Sequence, residues 1–306
     1  MEQSGSRPTE LAAGDTNAVG RMLGLLGDEW TLLVVQQALL GASRYGEFKD
    51  RLPISHSVLT RRLQSLTNDG LLERRVYQTN PTRSEYVVTA RGRSLWPVLL
   101  SIWEWERHWV PDHSERLPGM RHIACGADFV PLLLCRSCGE TASEKDVVAR
   151  WGPSGSWPRS VPAASTRRRS GSGQRDAAAG LFPQTMSVMG NRWAFALLVA
   201  AFVGVSRFTD FQTQLGAPPG SIADRLSIFV ANGVLAAADN RYRLTEKGRA
   251  FFPVLVSALE WAQRWFQAPE GRAVILDHTS CGRRFGALLV CEQCTGKLSG
   301  AQVEAV

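Results

Sequence analysis

The chain repeats itself, and that constrains its architecture more than any other feature. Gly27-Asp28-Glu29-Trp30 returns as Gly190-Asn191-Arg192-Trp193, and Arg44-Tyr45-Gly46-Glu47-Phe48 returns as Arg207-Phe208-Thr209-Asp210-Phe211. Arg62-Leu63 and Gly70 return as Arg225-Leu226 and Gly233, all at an offset of 163 residues. Past Leu235 the offset is 156: Tyr86, Thr89, Gly92, Pro97, Trp105 and Trp109 match Tyr242, Thr245, Gly248, Pro253, Trp261 and Trp265. His122, Cys125, Cys135 and Cys138 match His278, Cys281, Cys291 and Cys294 at that same offset. A constant spacing through so many rare residue types is a tandem duplication, with seven residues missing from copy two between Leu235 and Tyr242.

Each copy carries the same order of periodicities. In copy one, Val19 to Leu40 sets Leu23, Leu26, Trp30, Leu33 and Ala38 at helical spacing. Phe48 and Leu52 predict a short second helix that Pro53 stops. Ser55 and Ser57 are N-cap candidates for a third helix with an apolar stripe of Val58, Leu59, Leu63 and Leu66, ended by Asn68-Asp69-Gly70. Leu71 to Tyr77 and Glu85 to Val88 predict strands joined through Asn80-Pro81, and Thr89-Ala90-Arg91-Gly92 opens a helix running to Trp109. Helix, helix, polar-faced helix, hairpin and helix make a winged helix-turn-helix. The third helix offers Ser55, His56, Ser57, Thr60, Arg61, Arg62 and Gln64 to a major groove, while Arg74, Arg75 and Arg83 on the hairpin face the DNA backbone or minor groove.

Composition agrees with a nucleic-acid partner. Hydrophobic residues make up 44% of the 306 residues and charged residues 21%, as in globular proteins, and the formal net charge is +7. Met1 to Thr16 lacks the apolar core of a secretion signal, and the apolar run Ala194 to Val205 is too short to span a bilayer. A soluble, cytoplasmic protein with no membrane partner is expected, in a compartment where stable disulfides are rare.

Thr16 to Trp109 resembles the HxlR-type winged helix-turn-helix regulators. The resemblance rests on Gly27-Asp28-Glu29-Trp30-Thr31-Leu32-Leu33, Arg44-Tyr45-Gly46-Glu47-Phe48, Ile54-Ser55-His56-Ser57-Val58-Leu59-Thr60-Arg61-Arg62-Leu63, Asp69-Gly70-Leu71-Leu72-Glu73-Arg74-Arg75-Val76-Tyr77 and Pro81-Thr82-Arg83-Ser84-Glu85-Tyr86. It implies a bacterial, dimerising transcriptional regulator that lays its third helix and wing on double-stranded DNA. Thr185 to Trp265 resembles the same family more loosely. Asp224 stands at the position of Arg61, the helix face beginning Pro219-Gly220-Ser221 is poor in donors, and only Arg225, Arg241 and Arg243 remain for DNA. Copy two is therefore expected to be a weak reader or a built-in dimerisation partner, the chain forming either a homodimer or an intramolecular pseudo-dimer with half-sites about one helical turn, ~10 bp, apart. The cysteine that some family members carry near the first helix for sensing oxidants is absent from Asp15-Thr16-Asn17-Ala18, so that mechanism does not transfer.

His122-x2-Cys125-x9-Cys135-x2-Cys138 recurs as His278-x2-Cys281-x9-Cys291-x2-Cys294 and uses all six cysteines. Three thiolates and an imidazole at the ends of a hairpin suit a closed, structural Zn2+ site. Each module is expected to close on its own ion, giving two zinc sites; packed thiols and a redox cysteine pair are the other readings. The predicted fold class is mainly α with small β-hairpins: two tandem winged helix-turn-helix domains, each with a short Cys/His hairpin module. The expected division is a disordered N-terminus (1–15), domain 1 (16–112), module 1 (118–150), a flexible linker (151–180) containing Arg167-Arg168-Arg169, a degenerate domain 2 (181–268) and module 2 (274–306).

No phosphate-binding glycine loop or nucleophile elbow is present, and a closed Cys/His site offers no open coordination position, so an enzyme is not expected. The competing class is a protein-interaction adaptor with marginal DNA binding.

Overall fold

The first apolar stretch folds as two helices rather than one, because Asp28 restarts it. In the computed structural model, which describes residues 7–111, 117–161, 182–190 and 192–306, β1 (Thr9–Glu10) precedes α1 (Ala18–Leu26). Asn17 caps α1, accepting the N–H groups of Val19 and Gly20 at 3.0 and 3.1 Å. Asp28 caps α2 (Glu29–Leu39) by accepting from the Thr31 N–H at 3.1 Å. In α3 (Tyr45–Arg51), Glu47 turns back to accept the N–H groups of Ser43 and Arg44. These caps satisfy donors that the first turn leaves without partners.

α4 (His56–Asn68) follows after a short turn, capped by Ser55, and buries Leu59, Leu63 and Leu66. Gly70, at φ 71°, leads into the antiparallel pair β2 (Leu72–Thr79) and β3 (Thr82–Val88). α5 (Ala90–Arg93) and α6 (Trp96–Trp109) complete copy one, with Pro97 in the first turn of α6. After it come β4 (Met120–His122), β5 (Ala127–Asp128), β6 (Pro131–Cys135), β7 (Val147–Trp151) and α7 (Trp157–Ser160).

Copy two repeats the order as α8 (Pro183–Met189), α9 (Arg192–Phe202), α10 (Phe208–Leu215), α11 (Pro219–Ala231), β8 (Leu235–Ala238), β9 (Arg241–Leu244), α12 (Glu246–Arg249) and α13 (Phe252–Trp265). The chain ends with β10 (Phe266–Gln267), β11 (Val274–His278), β12 (Ala287–Cys291) and β13 (Val303–Ala305). The seven missing residues shorten the wing. Asp239 and Asn240, at φ 50° and 56°, form a two-residue hairpin loop with two positive φ angles, which matches the twist of the flanking strands.

The two copies interlock reciprocally. α6 packs on α13, and α13 also packs on α1. Trp105, 2% exposed, donates its indole N–H to the Lys247 carbonyl at 2.9 Å; its repeat mate Trp261, 4% exposed, donates to the Arg91 carbonyl at 3.1 Å. Arg91 and Lys247 are themselves mates, and the cation of each lies over an aromatic ring of the opposite copy, Trp265 and Trp105 respectively. Buried indoles need an acceptor, so these bonds fix how the terminal helices meet.

The strands continue the exchange. β6 pairs antiparallel with its own mate β12, Leu133 opposite Leu289, and β4 pairs with β13 as β11 pairs with β7, so that His122 faces Val303 and His278 faces Val147. A twofold rotation exchanging the copies leaves this pairing unchanged, which is the geometry of a homodimer interface built within one chain.

Besides the first expected helix, which divides into α1 and α2, and the last, which divides into α5 and α6, three expectations change. The Cys/His modules are not separate hairpins: β6 keeps a bridge from Leu134 to Thr141 in its own module, but its five-residue ladder runs along β12 of the other. The stretch from 151 to 161 is not linker: Trp151 pairs with Val274, and the Asn17 side chain donates to the Ser154 carbonyl and the Ser160 hydroxyl. Residues 9 and 10 are not disordered, since β1 runs parallel to β10 and Arg91 donates to the Thr9 hydroxyl. Residues 1–6 and the remainder of the expected linker, including Arg167-Arg168-Arg169, lie outside the described residues.

The pseudo-symmetry also breaks around one half-buried acid and its repeat mate. Glu260 accepts from the Ala287 N–H at 2.7 Å and pairs with Arg136 at 3.2 Å. Its mate Glu104 has Glu292 where Glu260 has Arg136; burial first, and then Glu292, push its pKa up to about 7, while Arg107 pulls it down. A carboxyl whose folded pKa exceeds its unfolded value of 4.5 stabilises the fold below the unfolded value and loses that contribution as pH rises through about 7. Glu104→Gln should therefore raise the urea midpoint at about pH 8.5 and leave it nearly unchanged at about pH 4. Denaturation curves at the two pH values check this, and an equal shift at both would contradict it.

Candidate nucleic-acid interface and Cys/His clusters

One face of α4 is built for exposure. Its apolar residues turn inward, and Ser57, Thr60, Arg61 and Gln64, spaced along the opposite face, stay exposed. At its start, Ser55 and His56 are also exposed. The His56 ring stacks on Tyr45 of α3 with centroids 5.9 Å apart, its Nδ1 3.0 Å from the Tyr45 hydroxyl. Thr60 lies 3.5 Å from that same hydroxyl, and Gln64 donates to Asn68 at 2.9 Å. The sequence reading omits Tyr45, although its place in the repeated motif, with Phe208 as its mate, marks an aromatic requirement.

Arg61 and Arg62 part company. Arg61 lies on the exposed face, whereas Arg62 is half-buried and pairs with Asp28, the cap of α2, at 2.6 Å. The structure therefore places Arg62 between α4 and α2, away from the face that carries Arg61.

The wing is likewise divided. Arg74 opposes Tyr86 and Arg75 opposes Glu85, so the two arginines point to opposite faces of the hairpin. Arg75 is held by Glu73 at 3.0 Å, which raises its pKa, with Glu85 adding to the effect. Arg74 and Arg83 are exposed. Arg44, also outside the sequence-derived set, lies over Tyr77 at 5.0 Å and bridges to Glu85, so it buttresses the wing from the start of α3.

In copy two the equivalent face is bare. α11 exposes Ala223, Asp224, Ser227 and Val230, and Arg225 pairs with its neighbour Asp224 at 3.1 Å. Arg243 is exposed, and Arg241 donates to Ser206 at 3.5 Å. Four-residue strands extend this wing about 14 Å, against about 27 Å for the eight-residue β2.

The eight Cys and His residues gather into two tetrads, but not the expected ones. His122 and Cys125 meet Cys291 and Cys294, while His278 and Cys281 meet Cys135 and Cys138, with the donor atoms of each tetrad within 4.8 Å of one another. The expectation that each module closes on itself is thus corrected: the β6–β12 pairing carries each Cys-x2-Cys turn to the other copy's His-x2-Cys turn. His122 Nδ1 lies 3.4 Å from Cys125 Sγ and 3.3 Å from Cys294 Sγ, and Cys125 Sγ lies 3.9 Å from Cys291 Sγ. His278 Nδ1 lies 3.4 Å from both Cys138 Sγ and Cys281 Sγ. Both imidazoles are 1% exposed, each against a phenylalanine, Phe129 or Phe285. The Ala127 N–H lowers the Cys125 thiol to about 7, with help from its His and Cys neighbours. The six cysteines are free thiols.

Comparison with known proteins agrees with the duplicated architecture. The profile of the family described as HxlR-like helix-turn-helix matches residues 25–114 and again 188–270. These matches take in more than half of the 306 residues, and the chain belongs to that family. An uncharacterised HTH-type transcriptional regulator of Mycobacterium bovis is 35% identical over 136 residues, 44% of this chain and 86% of the relative. Another from Synechocystis is 34% identical over 115 residues, 37% of this chain and 84% of the relative. A solved structure of a transcription-factor candidate from Pseudomonas aeruginosa is 32% identical, the match covering 41% of this chain and 85% of that one at a TM-score of 0.32. No helix among the described residues is long and apolar enough to cross a membrane.

The contrast between the adjacent arginines can be measured without DNA. Arg62→Ala should cost about 1–3 kcal/mol of stability, the range for a charged hydrogen bond shielded from water, whereas Arg61→Ala should stay within about 0.5 kcal/mol of wild type. Chemical denaturation of the two variants checks this, and equal losses would contradict the assignment of Arg62 to the scaffold.

Proposed function

We propose that the chain is a sequence-specific, DNA-binding transcriptional regulator in which copy one reads DNA and copy two is mainly its built-in dimerisation partner. Membership of the HxlR-like family and the regulator relatives support DNA binding as the general activity. The observation that carries the finer reading is the asymmetry between α4 and α11. Ser57, Thr60, Arg61 and Gln64 form an exposed donor-rich face on α4, where α11 exposes Ala223, Asp224 and Ser227. An α-helix fits the major groove, where such side chains discriminate base edges, and the carboxylate of Asp224 would oppose phosphate.

On this reading Ser57, Thr60, Arg61 and Gln64 meet bases or phosphates, with His56 and Ser55 at the N-terminus of the helix. Arg74 and Arg83 on the wing meet the backbone, while Arg75, neutralised by Glu73, contributes less. Arg62 supports the reading helix through Asp28 rather than contacting DNA. In copy two, Arg241 and Arg243 supply weaker, non-specific attraction. The reciprocal tryptophan contacts take the place of a second subunit.

Binding of a duplex selected from a random pool, followed by fluorescence anisotropy across a salt series, tests this. Wild type should show a steep fall of affinity with salt; Arg61→Ala and Arg83→Ala should each flatten the slope by about 1, with Arg243→Ala changing it less. Equal effects in the two copies would contradict the asymmetry, and failure to retain any duplex at low ionic strength would contradict DNA reading and favour a protein-interaction adaptor.

A further inference from the structure

We propose that the chain binds two zinc ions, each in a tetrahedral site that neither copy can complete alone. One ion is held by His122, Cys125, Cys291 and Cys294, the other by Cys135, Cys138, His278 and Cys281. The ions thereby act as two staples between the repeats.

The distances are those of a tetrahedron around zinc. Bond lengths of about 2.3 Å to sulfur and 2.0–2.1 Å to nitrogen imply edges of about 3.8 Å between sulfurs and about 3.5 Å between sulfur and nitrogen. The first tetrad shows 3.9 Å for Cys125 to Cys291, and 3.4 and 3.3 Å from His122 Nδ1 to its two nearest sulfurs. The second tetrad gives 3.4 Å twice from His278 Nδ1. The two sites are exchanged by the 156-residue repeat offset, have the same donor set, and each holds its imidazole Nδ1 3.3–3.4 Å from two sulfurs. The donors decide the ion, since three soft thiolates and an imidazole in a closed tetrahedron suit zinc and leave no position for a substrate.

The surroundings are built for the same purpose. Both imidazoles are 1% exposed with Nδ1 directed at thiols, and among the described residues their Nε2 atoms have no hydrogen-bond partner. A buried polar ring facing only sulfurs has little to gain from its position unless an ion occupies the centre. Each ligand pair sits on a tight turn. The Gly126 and Gly139 N–H groups donate to the His122 and Cys135 carbonyls, and Gly282 and Thr295 repeat this with His278 and Cys291. All four turn residues have positive φ, from 54° to 81°. That Thr295 adopts this conformation without being glycine shows how strongly the turn is imposed. Neither Cys/His segment has much core of its own, and its main strand, β6 or β12, pairs across the repeats, so a metal at each end of the β6–β12 ribbon fixes the junction that holds the two winged helices in one frame.

Elemental analysis of the purified full-length chain, without chelators, should give two zinc per chain. Paired substitutions separate the cross-repeat sites from sites closed within each module. Cys125→Ser with Cys291→Ser removes two ligands from one site and should leave one zinc; Cys125→Ser with Cys135→Ser damages both sites and should leave close to none. The reverse pattern would overturn the shared sites, and a folded wild-type chain that neither carries zinc nor takes up two cobalt ions with thiolate charge-transfer bands would overturn metal binding altogether. A second measurement needs no variant. In the metal-stripped wild-type chain, a short bis-alkylating dihalide, from which each attacking thiolate displaces one halide, should join Cys125 to Cys291 or Cys294 in peptide maps, whereas links to Cys135 or Cys138 would contradict the assignment. DNA binding enters neither readout, so the regulator reading and the metal sites can fail separately.

Discussion

Trp105 and Trp261 each spend their one polar atom on the opposite repeat, and the rest of the molecule is arranged around that exchange. An indole N–H cannot be buried without an acceptor. The carbonyls that serve, those of Lys247 and Arg91, lie just ahead of the opposite terminal helix. Arg91 ties several layers together at once. Its guanidinium donates to the Asp69 carbonyl at the end of α4 and to the N-terminal segment at Arg7 and Thr9, and it lies over Trp265 and Phe266 of copy two. The pose of α4 is thus connected through one side chain to the interface with copy two.

This arrangement lets one half of a duplicated chain diverge on its surface while keeping its place in the fold. A homodimer must keep both subunits alike, since one sequence encodes both faces of its interface. After fusion, each copy is free to change wherever the contact between copies does not need it. The surface of copy two has done so: its wing is short, α11 exposes few hydrogen-bond donors, and Asp224 stands where Arg61 stands in copy one. The contact residues are retained, with tryptophans, the β6–β12 ribbon and all eight Cys and His positions present in both copies. The contact itself differs between the copies at Glu292, which stands beside Glu104 where Arg136 stands beside Glu260, and at buried Glu106, whose mate is Ala262.

Much of this was legible in the sequence. The repeat, the wing and the family follow from local patterns, and the structure and comparisons agree with them, while the first and last expected helices each divide in two. Arg62 could also have been placed by helical arithmetic, since it lies three residues after Leu59 and four before Leu66, on the flank of the buried stripe. The tetrads could not. Spacing singles out His122, Cys125, Cys135 and Cys138 as candidate ligands, but which pairs converge depends on β6 making its ladder with β12 of the other copy, and connectivity is not written in spacing. Residues 151–161 misled for a related reason. Pro and Gly there suggest a linker, yet Asn17, far away in sequence, supplies the hydrogen bonds that fasten them.

The central claim is that the two repeats form one cooperative body, each completing the other, rather than two domains on a tether. Equilibrium unfolding of the intact chain in urea, followed together by tryptophan fluorescence and far-ultraviolet circular dichroism, tests this most directly. Reciprocal burial predicts a single transition with coincident midpoints for both probes. Two resolved transitions, each carrying the amplitude of one repeat, would show independently stable halves and contradict it.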